Sequence, residues 1–158
     1  EIPLPDIVAG LSAVRAVHGR WQSVPGVNGI QLIDDSYNAN PGSLRAALQL
    51  LADCDAESWL VLGDMGELGP EARQLHRQMG EQAKRDGIRR LFGLGELARQ
   101  AVEAFGEGAE AFSDPQRLIE RLGRLARRDV LVLVKGSRAM RMERVVECLR
   151  DGGGRERG

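Results

Sequence analysis

The stretch IQLIDDSYNANPGSLRAALQLL, residues 30–51, combines the signals of a β-strand, a polar loop and an α-helix. Its apolar start, from Ile30 to Ile33, is typical of a short strand. A helix is indicated by four apolar residues that recur on one helical face, namely Leu44, Ala47, Leu48 and Leu51. A strand that leads directly into a helix is the repeating unit of a parallel α/β sheet.

The loop of this unit, DDSYNANP at 34–41, is more polar than a connection requires. It offers two carboxylates, a hydroxyl, a phenol and two amides at the end of the predicted strand. The adjacent carboxylates of Asp34 and Asp35 repel each other unless a cation, an arginine or hydroxyl donors lie nearby. We therefore interpret the loop as a ligand-binding segment. The alternative is that an Asp or Asn caps the helix that begins near Pro41, while the other side chains face solvent.

Strand and helix patterns alternate along the rest of the chain. The segments SWLVLGD, RRLFGLG, AEAF and DVLVLVKG are predicted as strands, and each is followed by a helical pattern. Upstream, WQSVPGVNGIQLIDD is predicted as a β-hairpin and residues 5–17 as a helix. The sequence thus predicts a doubly wound α/β fold: a mostly parallel, Rossmann-like sheet with helices on both faces, preceded by a helix and a β-hairpin. Ligands bind such sheets at the carboxyl ends of the strands.

Length and composition restrict the classes of protein. The 158 residues suit one domain, and a net charge of -1 predicts no nucleic-acid partner. The apolar runs are far shorter than the roughly 20 residues that span a bilayer, so we expect no membrane insertion and a cytoplasmic location. Cys54 and Cys148 lack CxxC spacing, so we predict that both are small core residues and that the chain has no metal site.

Two glycine-rich loops each allow two interpretations. In GDMGELGP, at 63–70, Asp64 could bind a ligand hydroxyl or a magnesium-bound water, or the segment is only a turn. GLGELA, from Gly93 to Ala98, matches the GxGxxA fingerprint of dinucleotide-binding domains, and Asp114 follows about 20 residues later. Because the motif falls on a late strand–helix unit, we favour tight packing of a helix on its strand.

The segment KGSRAMRMER, at 135–144, concentrates positive charge after the last predicted strand. Ser137 is predicted to cap the final helix, which places Arg138 and Arg141 in its first turn, at the positive end of the helix dipole. Together with Lys135, these arginines favour a receptor for a carboxylate or phosphate. The alternative is that Glu143 and other acids neutralise them.

An independent reactive centre is missing from the sequence. Neither a GxxxxGK[ST] phosphate loop nor a nucleophile motif occurs in the 158 residues. Of the two histidines, His18 ends a predicted helix, and His76 lies on a helix face, where we predict a structural or interface role. Ligand-binding loops without a reactive centre are typical of one part of a larger enzyme.

Four segments, taken in order, resemble the C-terminal domain of Mur ligases: IDDSYNANP, LGDMGELG, HRQMGEQA and VKGSRAMRME. The resemblance implies a C-terminal ligase domain at 20–150, preceded at 1–19 by the end of a central ATPase domain with its hinge, and followed at 151–158 by a frayed tail. It also implies that the N-terminal UDP-sugar domain and the central ATPase domain are absent from this chain.

The branch of the family that this chain resembles adds D-alanyl-D-alanine to UDP-N-acetylmuramoyl-tripeptide. The resemblance implies that ATP phosphorylates the tripeptide carboxylate, that Mg²⁺ offsets the phosphate charge, and that this domain closes over the site. Both ATP and Mg²⁺ would be held mainly by the central domain, and no catalytic residue is expected in this fragment alone, which we predict to be inactive. A different class of function, a free-standing nucleotide-binding or dinucleotide-binding module that uses GLGELA, remains the alternative.

The resemblance also implies roles for individual residues. Four would serve the nucleotide, with Asp35 on the ribose hydroxyls: Arg20, Asp35, Asn38 and Asn40. Three would line the approach of the dipeptide: Lys135, Ser137 and Arg138. We assign the dipeptide carboxylate to Arg138, because a guanidinium binds a carboxylate with two parallel hydrogen bonds.

Overall fold

The computed structural model describes residues 22–37 and 39–151, which form one mixed sheet with helices packed on it. The strands are β1 (Gln22–Pro25), β2 (Gln31–Asp35), β3 (Glu57–Gly63), β4 (Arg90–Leu94), β5 (Ala109–Phe112) and β6 (Val130–Lys135). The α-helices are α1 (Pro41–Ala52), α2 (Ala72–Arg85), α3 (Glu96–Phe105), α4 (Pro115–Leu125) and α5 (Glu143–Leu149).

The strand order across the sheet is β1-β2-β6-β3-β4-β5. β1 and β2 pair antiparallel, whereas the other neighbouring strands pair parallel. A 3-10 turn at Val27–Gly29 joins the two arms of the hairpin, and both Asn28 and Gly29 have positive φ there, as an Asn-Gly turn requires. The predicted hairpin and the mostly parallel sheet are confirmed.

Two apolar layers enclose the sheet, because successive residues of a strand point to opposite faces. On one face, Leu131 and Leu133 of β6 pack in the same cluster as the buried sides of α1, α2 and α3. On the other face, Val130, Val132 and Val134 pack with α4 and α5. Helices therefore cover both faces, which confirms the doubly wound architecture.

Two helices begin where a capping residue and a proline coincide. Asn40 caps α1: its Oδ1 accepts the N–H of Ser43 at 2.9 Å, the Ser43 Oγ accepts the N–H of Asn40 at 3.2 Å, and Pro41 occupies the first turn. Asp114 caps α4 by accepting the N–H of Gln116 at 2.9 Å. The helix start predicted near Pro41 is confirmed.

The predicted start of the last helix is wrong. Residues Arg138–Met140 form a separate 3-10 turn in which Ser137 makes no side-chain cap, and α5 begins only at Glu143. The interruption falls at Arg141, whose left-handed backbone (φ 52°, ψ 49°) ends the upstream turn. Arg138 and Arg141 therefore do not lie in the first turn of a helix.

The prediction that both cysteines lie in the core is half right. Cys54 packs against the core, whereas Cys148 is exposed on α5. The helix predicted at 5–17 and residues 152–158 of the predicted tail lie outside the described residues. Among the residues that the structure describes, no helix has the length and apolar character to cross a membrane.

Candidate functional site

Three polar loops meet at one edge of the sheet. β6 lies between β2 and β3, but the chain leaves β6 toward the face covered by α5, whereas it leaves β2 and β3 toward the face covered by α1 and α2. This reversal makes the carboxyl ends of β2, β6 and β3 a topological switch point, where doubly wound sheets bind ligands. The predicted dipeptide residues and Asp35 lie at this edge.

Tyr37 and Arg138 connect the loops after β2 and β6. The Arg138 guanidinium lies over the Tyr37 ring, 5.0 Å from its centroid, in a cation–π contact, and Tyr37 remains 50% exposed. Both side chains line two cavities. We call the first, of about 460 Å³, the hairpin cavity; its other lining residues are Gln22, Asp34, Ser36, Arg141 and Glu143. The second, of about 350 Å³, is the loop cavity, and its other lining residues are Gly66, Glu67, Ser137 and Ala139.

Asp35 and Lys135 form a buried ion pair at the ends of β2 and β6. They are partners in the parallel register of the two strands, and the Lys135 Nζ lies 2.5 Å from the Asp35 Oδ2. Their side chains are 1% exposed for Lys135 and 4% for Asp35. The cation that the adjacent carboxylates require is thus Lys135 itself. Neither residue lines the hairpin cavity or the loop cavity.

Asp34 and Asn40, on either side of the loop after β2, have local partners. Asp34 Oδ1 accepts both the N–H of Ser36, at 3.0 Å, and its hydroxyl, at 2.5 Å. The Oδ1 of Asn40 is used in the cap of α1, so the capping alternative is correct for this residue. Arg20 and Asn38, which we predicted to contact the nucleotide, lie outside the described residues.

His76 supports the loop after β3 from the core. Its fully buried ring accepts the N–H of Met65 through Nε2 at 3.0 Å, and its Nδ1 lies 2.7 Å from the carbonyl oxygen of Ala72. A carbonyl oxygen only accepts hydrogen bonds, so the proton is on Nδ1 and Nε2 is free to accept. These contacts agree with the structural role predicted for His76.

Asp64 is used inside the fold and joins three loops. Its Oδ1 accepts the N–H of Ala98 at 2.7 Å, in the first turn of α3, and its carbonyl oxygen accepts the N–H of Ser137 at 3.0 Å. Gly95, with φ 113°, leaves room for this carboxylate, because a Cβ at that position would overlap it. The structure thus gives Asp64 a role inside the fold that neither the ligand interpretation nor the turn interpretation predicted.

The same contact explains the GLGELA motif. In a dinucleotide-binding domain the pyrophosphate sits at the helix N-terminus that the glycines open. Here the Asp64 carboxylate lies at that N-terminus, so a pyrophosphate would meet a negative charge. A Cβ on Gly93 would press on Val102 and on the carbonyl oxygen of Ala98, which is the close helix-on-strand packing that we favoured.

Glu143 lines the hairpin cavity beside the arginines after β6, so the alternative in which acids neutralise these arginines remains a prediction. Within the described part of the chain, no ion pair involves Arg138, Arg141 or Glu143. Nor do three or more His, Cys, Asp or Glu residues converge there as a metal site would need.

Tyr37 and Glu67 line the cavities although neither has a role predicted from the sequence. Tyr37 is the only tyrosine of the chain and lies in the most polar loop, which was the available signal. Glu67 has a positive φ of 58°, as Arg141 does, and each lines one of the two cavities. Left-handed backbone at non-glycine residues is strained and concentrates at binding sites, but side-chain patterns do not reveal it.

The chain is similar to Mur ligases in both sequence and structure. Residues 19–138 match the family model described as Mur ligase, glutamate ligase domain. The chain is 45% identical over 152 residues to the UDP-N-acetylmuramoyl-tripeptide--D-alanyl-D-alanine ligase of Escherichia coli K12, covering 95% of this chain and 33% of that protein. It is 32% identical over 151 residues to the enzyme of the same name from Bacillus subtilis 168, covering 91% and 33%.

A solved structure is also similar to this chain. The crystal structure of MurF from Acinetobacter baumannii is similar with a TM-score of 0.72 and 32% identity, over 92% of this chain and 33% of that one. The chain thus spans about a third of the length of the curated relatives it matches.

Proposed function

This chain belongs to the Mur ligase family, and on that premise we propose that it is the C-terminal domain of an ATP-dependent ligase of peptidoglycan synthesis in the cytoplasm. The reaction is the addition of D-alanyl-D-alanine to UDP-N-acetylmuramoyl-tripeptide. The similarity to ligases named for this reaction, over more than nine-tenths of the chain, supports the choice of substrates.

The proposed chemistry has two steps. The terminal carboxylate of the tripeptide attacks the γ-phosphorus of ATP, which releases ADP and forms an acyl phosphate. The amine of D-alanyl-D-alanine then attacks the acyl carbon, and the tetrahedral intermediate expels inorganic phosphate as the amine loses a proton. Mg²⁺ would offset the phosphate charge during both steps. By the family resemblance, it would be held mainly by a central domain.

This domain would supply binding groups at its switch-point edge. Arg138 lies on the wall shared by both cavities, and its guanidinium is oriented by the Tyr37 ring, so we assign to it the carboxylate of the dipeptide. Ser137 lines the loop cavity, on the proposed approach of the dipeptide. On the nucleotide side we retain Asp35, Asn40, Arg20 and Asn38.

The buried pair modifies two of these roles. Asp35 could reach ribose hydroxyls, and Lys135 could line the dipeptide path, only if the pair opened toward the ligand when the domain closes. In the structure as it stands, the pair fixes the ends of β2 and β6 and thereby the loops that hold Tyr37 and Arg138. We therefore propose that both residues act first by positioning these loops.

The observation that supports the proposal most directly is the convergence of the two Mur-like loops on one contact, between Tyr37 and Arg138. A chimera tests it: this chain replaces the C-terminal third of the E. coli relative, and formation of the amide is measured with ATP, the UDP-tripeptide and the dipeptide. We expect turnover that neither part shows alone. An inactive chimera that folds and binds ATP would contradict the proposal.

Within the chimera, Arg138→Ala should weaken the dipeptide by about 1.5–3 kcal/mol, the usual worth of a hydrogen bond to a charged group. The KM values for ATP and the UDP-tripeptide should stay unchanged. Arg144→Ala is the matched control, because the exposed Arg144 side chain donates to the carbonyl oxygen of Met140 and lines neither cavity. An unchanged dipeptide KM in Arg138→Ala would show that the carboxylate binds elsewhere.

A further inference from the structure

The hairpin cavity is lined by charged residues of both signs. Arg138 and Arg141 line it from the loop after β6, Glu143 from the start of α5, and Asp34 from the end of β2. Among the described residues none of these four forms an ion pair with another. Two positive and two negative groups thus share one cavity of about 460 Å³ without neutralising each other directly.

Arg141 is held in the cavity wall by strained backbone. Its left-handed conformation (φ 52°, ψ 49°) is unfavourable for a non-glycine residue. The next residue, Met142, is fully buried and packs against Gly63 and Gly136, where added Cβ atoms would lie 2.7 Å and 2.5 Å from its side chain. This anchor maintains the turn and so fixes the position of Arg141 in the cavity wall.

Two of the other charged groups are also fixed before a ligand arrives. The Tyr37 ring orients the Arg138 guanidinium, and the N–H and hydroxyl of Ser36 orient the Asp34 carboxylate. Oriented groups lose little freedom on binding, so they favour a ligand whose charges match theirs. A ligand with only a carboxylate or phosphate would satisfy the arginines and be repelled by Asp34 and Glu143.

We propose that the hairpin cavity is a zwitterion site, which takes a free amino acid or short peptide with both its amine and its carboxylate charged. Arg138 and Arg141 hold the carboxylate, and Asp34 and Glu143 hold the ammonium. Identifying the occupant as D-alanyl-D-alanine rests on the proposed function. The new assignments are Arg141, Asp34 and Glu143 as residues that select a dipeptide with both termini free.

Binding to the chain itself tests the selection. The probes are D-alanyl-D-alanine, its N-acetyl derivative and its C-terminal amide, titrated while the backbone amide resonances of the cavity residues are followed by NMR. We expect each blocked form to bind about tenfold or more weakly than the free dipeptide, since each loses a charge-assisted interaction. Equal binding of the three probes would overturn the proposal.

Variants connect each preference to its residue. Arg141→Gly keeps the left-handed turn accessible and should abolish the preference for the free carboxylate. Glu143→Gln should abolish the preference for the free amine. Arg144→Ala and Glu147→Gln are controls on the same helix that do not line the cavity. If the controls reproduced the effects of Arg141→Gly and Glu143→Gln, bulk charge would explain them and the proposal would fail.

Kinetics of the chimera separate this proposal from the proposed function. Arg141→Gly and Glu143→Gln should raise the KM for the dipeptide and leave that for ATP unchanged. An active chimera in which neither variant changes the dipeptide KM would remove the zwitterion site and leave the ligase function intact. If the chimera were inactive but the chain still preferred the dipeptide with free termini, the ligase function would fail and the zwitterion site would remain. Where the chain binds the dipeptide too weakly to saturate, the KM values decide.

Discussion

At the scale of single residues, the Asp35–Lys135 pair decides how the site loops are held. Removing one partner from a buried ion pair typically costs about 3–5 kcal/mol, whereas replacing both with apolar groups is often neutral. We therefore expect Asp35→Leu and Lys135→Met each to destabilise the chain strongly in urea unfolding. The double variant should be much less destabilised than the sum of the two.

Comparing the two single variants with the double variant also tests the nucleotide role of Asp35. If Asp35 acts only on ribose hydroxyls, Asp35→Leu will raise the KM for ATP in the chimera and leave the free energy of unfolding of the chain unchanged. Additive effects of the two single changes would likewise show that the pair is not a positioning device.

The two cysteines should differ in reactivity. Burial, followed by the charges of Asp53 and Asp55, raises the pKa of the Cys54 thiol, which also donates to the carbonyl oxygen of Leu50. Cys148 is exposed on α5. Since the thiolate is the nucleophile, iodoacetamide at neutral pH should modify Cys148 about tenfold or more faster than Cys54. Peptide mass spectrometry over time gives both rates, and Cys148→Ser isolates the slow one; similar rates would contradict the burial argument.

At the scale of elements, glycines have opposite effects in two helices. Gly80 of α2 packs directly on the backbone of Ala101 in α3, and an added Cβ would overlap the Ala101 carbonyl oxygen. Gly123 of α4 has open space at the same position. Gly80→Ala should therefore destabilise the chain by about 1–3 kcal/mol through overpacking, despite the better helix propensity of alanine. Gly123→Ala should stabilise it by about 0.5–1 kcal/mol.

Thermal and urea unfolding measure the free energy of unfolding of Gly80→Ala and Gly123→Ala. Each variant is the control for the other. A stabilised Gly80→Ala variant would mean that α2 and α3 can separate at little cost, and that the close crossing does not fix the position of the loop after β3.

Elements were predictable from sequence where local and tertiary signals agree. The caps at Asn40 and Asp114 are each followed by a proline, so the starts of α1 and α4 were recognisable. The unbroken apolar run of β6 needs two covered faces, so this strand was recognisable as well. The start of α5 was not recognisable, because the burial of Met142 between Gly63 and Gly136 overrides the apparent cap at Ser137. The contact between Met142 and Gly63 joins residues far apart in the chain.

At the scale of the whole molecule, the site residues depend on the strand order. Asp35 and Lys135 meet only because β6 inserts between β2 and β3, and no spacing within the sequence indicates that neighbour relation. The family resemblance predicted which loops bind ligands, and the fold shows how these loops contact each other. Roles that depend on Arg20 and Asn38 stay predictions, since both lie outside the described residues.

The isolated chain should not hydrolyse ATP. ATP hydrolysis needs the β- and γ-phosphates to be held in line with a nucleophile, and backbone N–H groups of a phosphate loop normally provide that cradle. The sequence contains no such loop, and the N-terminus of α3 is already occupied by the Asp64 carboxylate. We expect the isolated, folded chain to release no phosphate from ATP above a heat-inactivated sample, with or without Mg²⁺. The chimera should release phosphate only when the UDP-tripeptide and the dipeptide are both supplied. Steady phosphate release by the chain alone would mean that the switch-point edge holds a complete nucleotide site, and the interpretation of this domain as one part of a divided active site would be wrong.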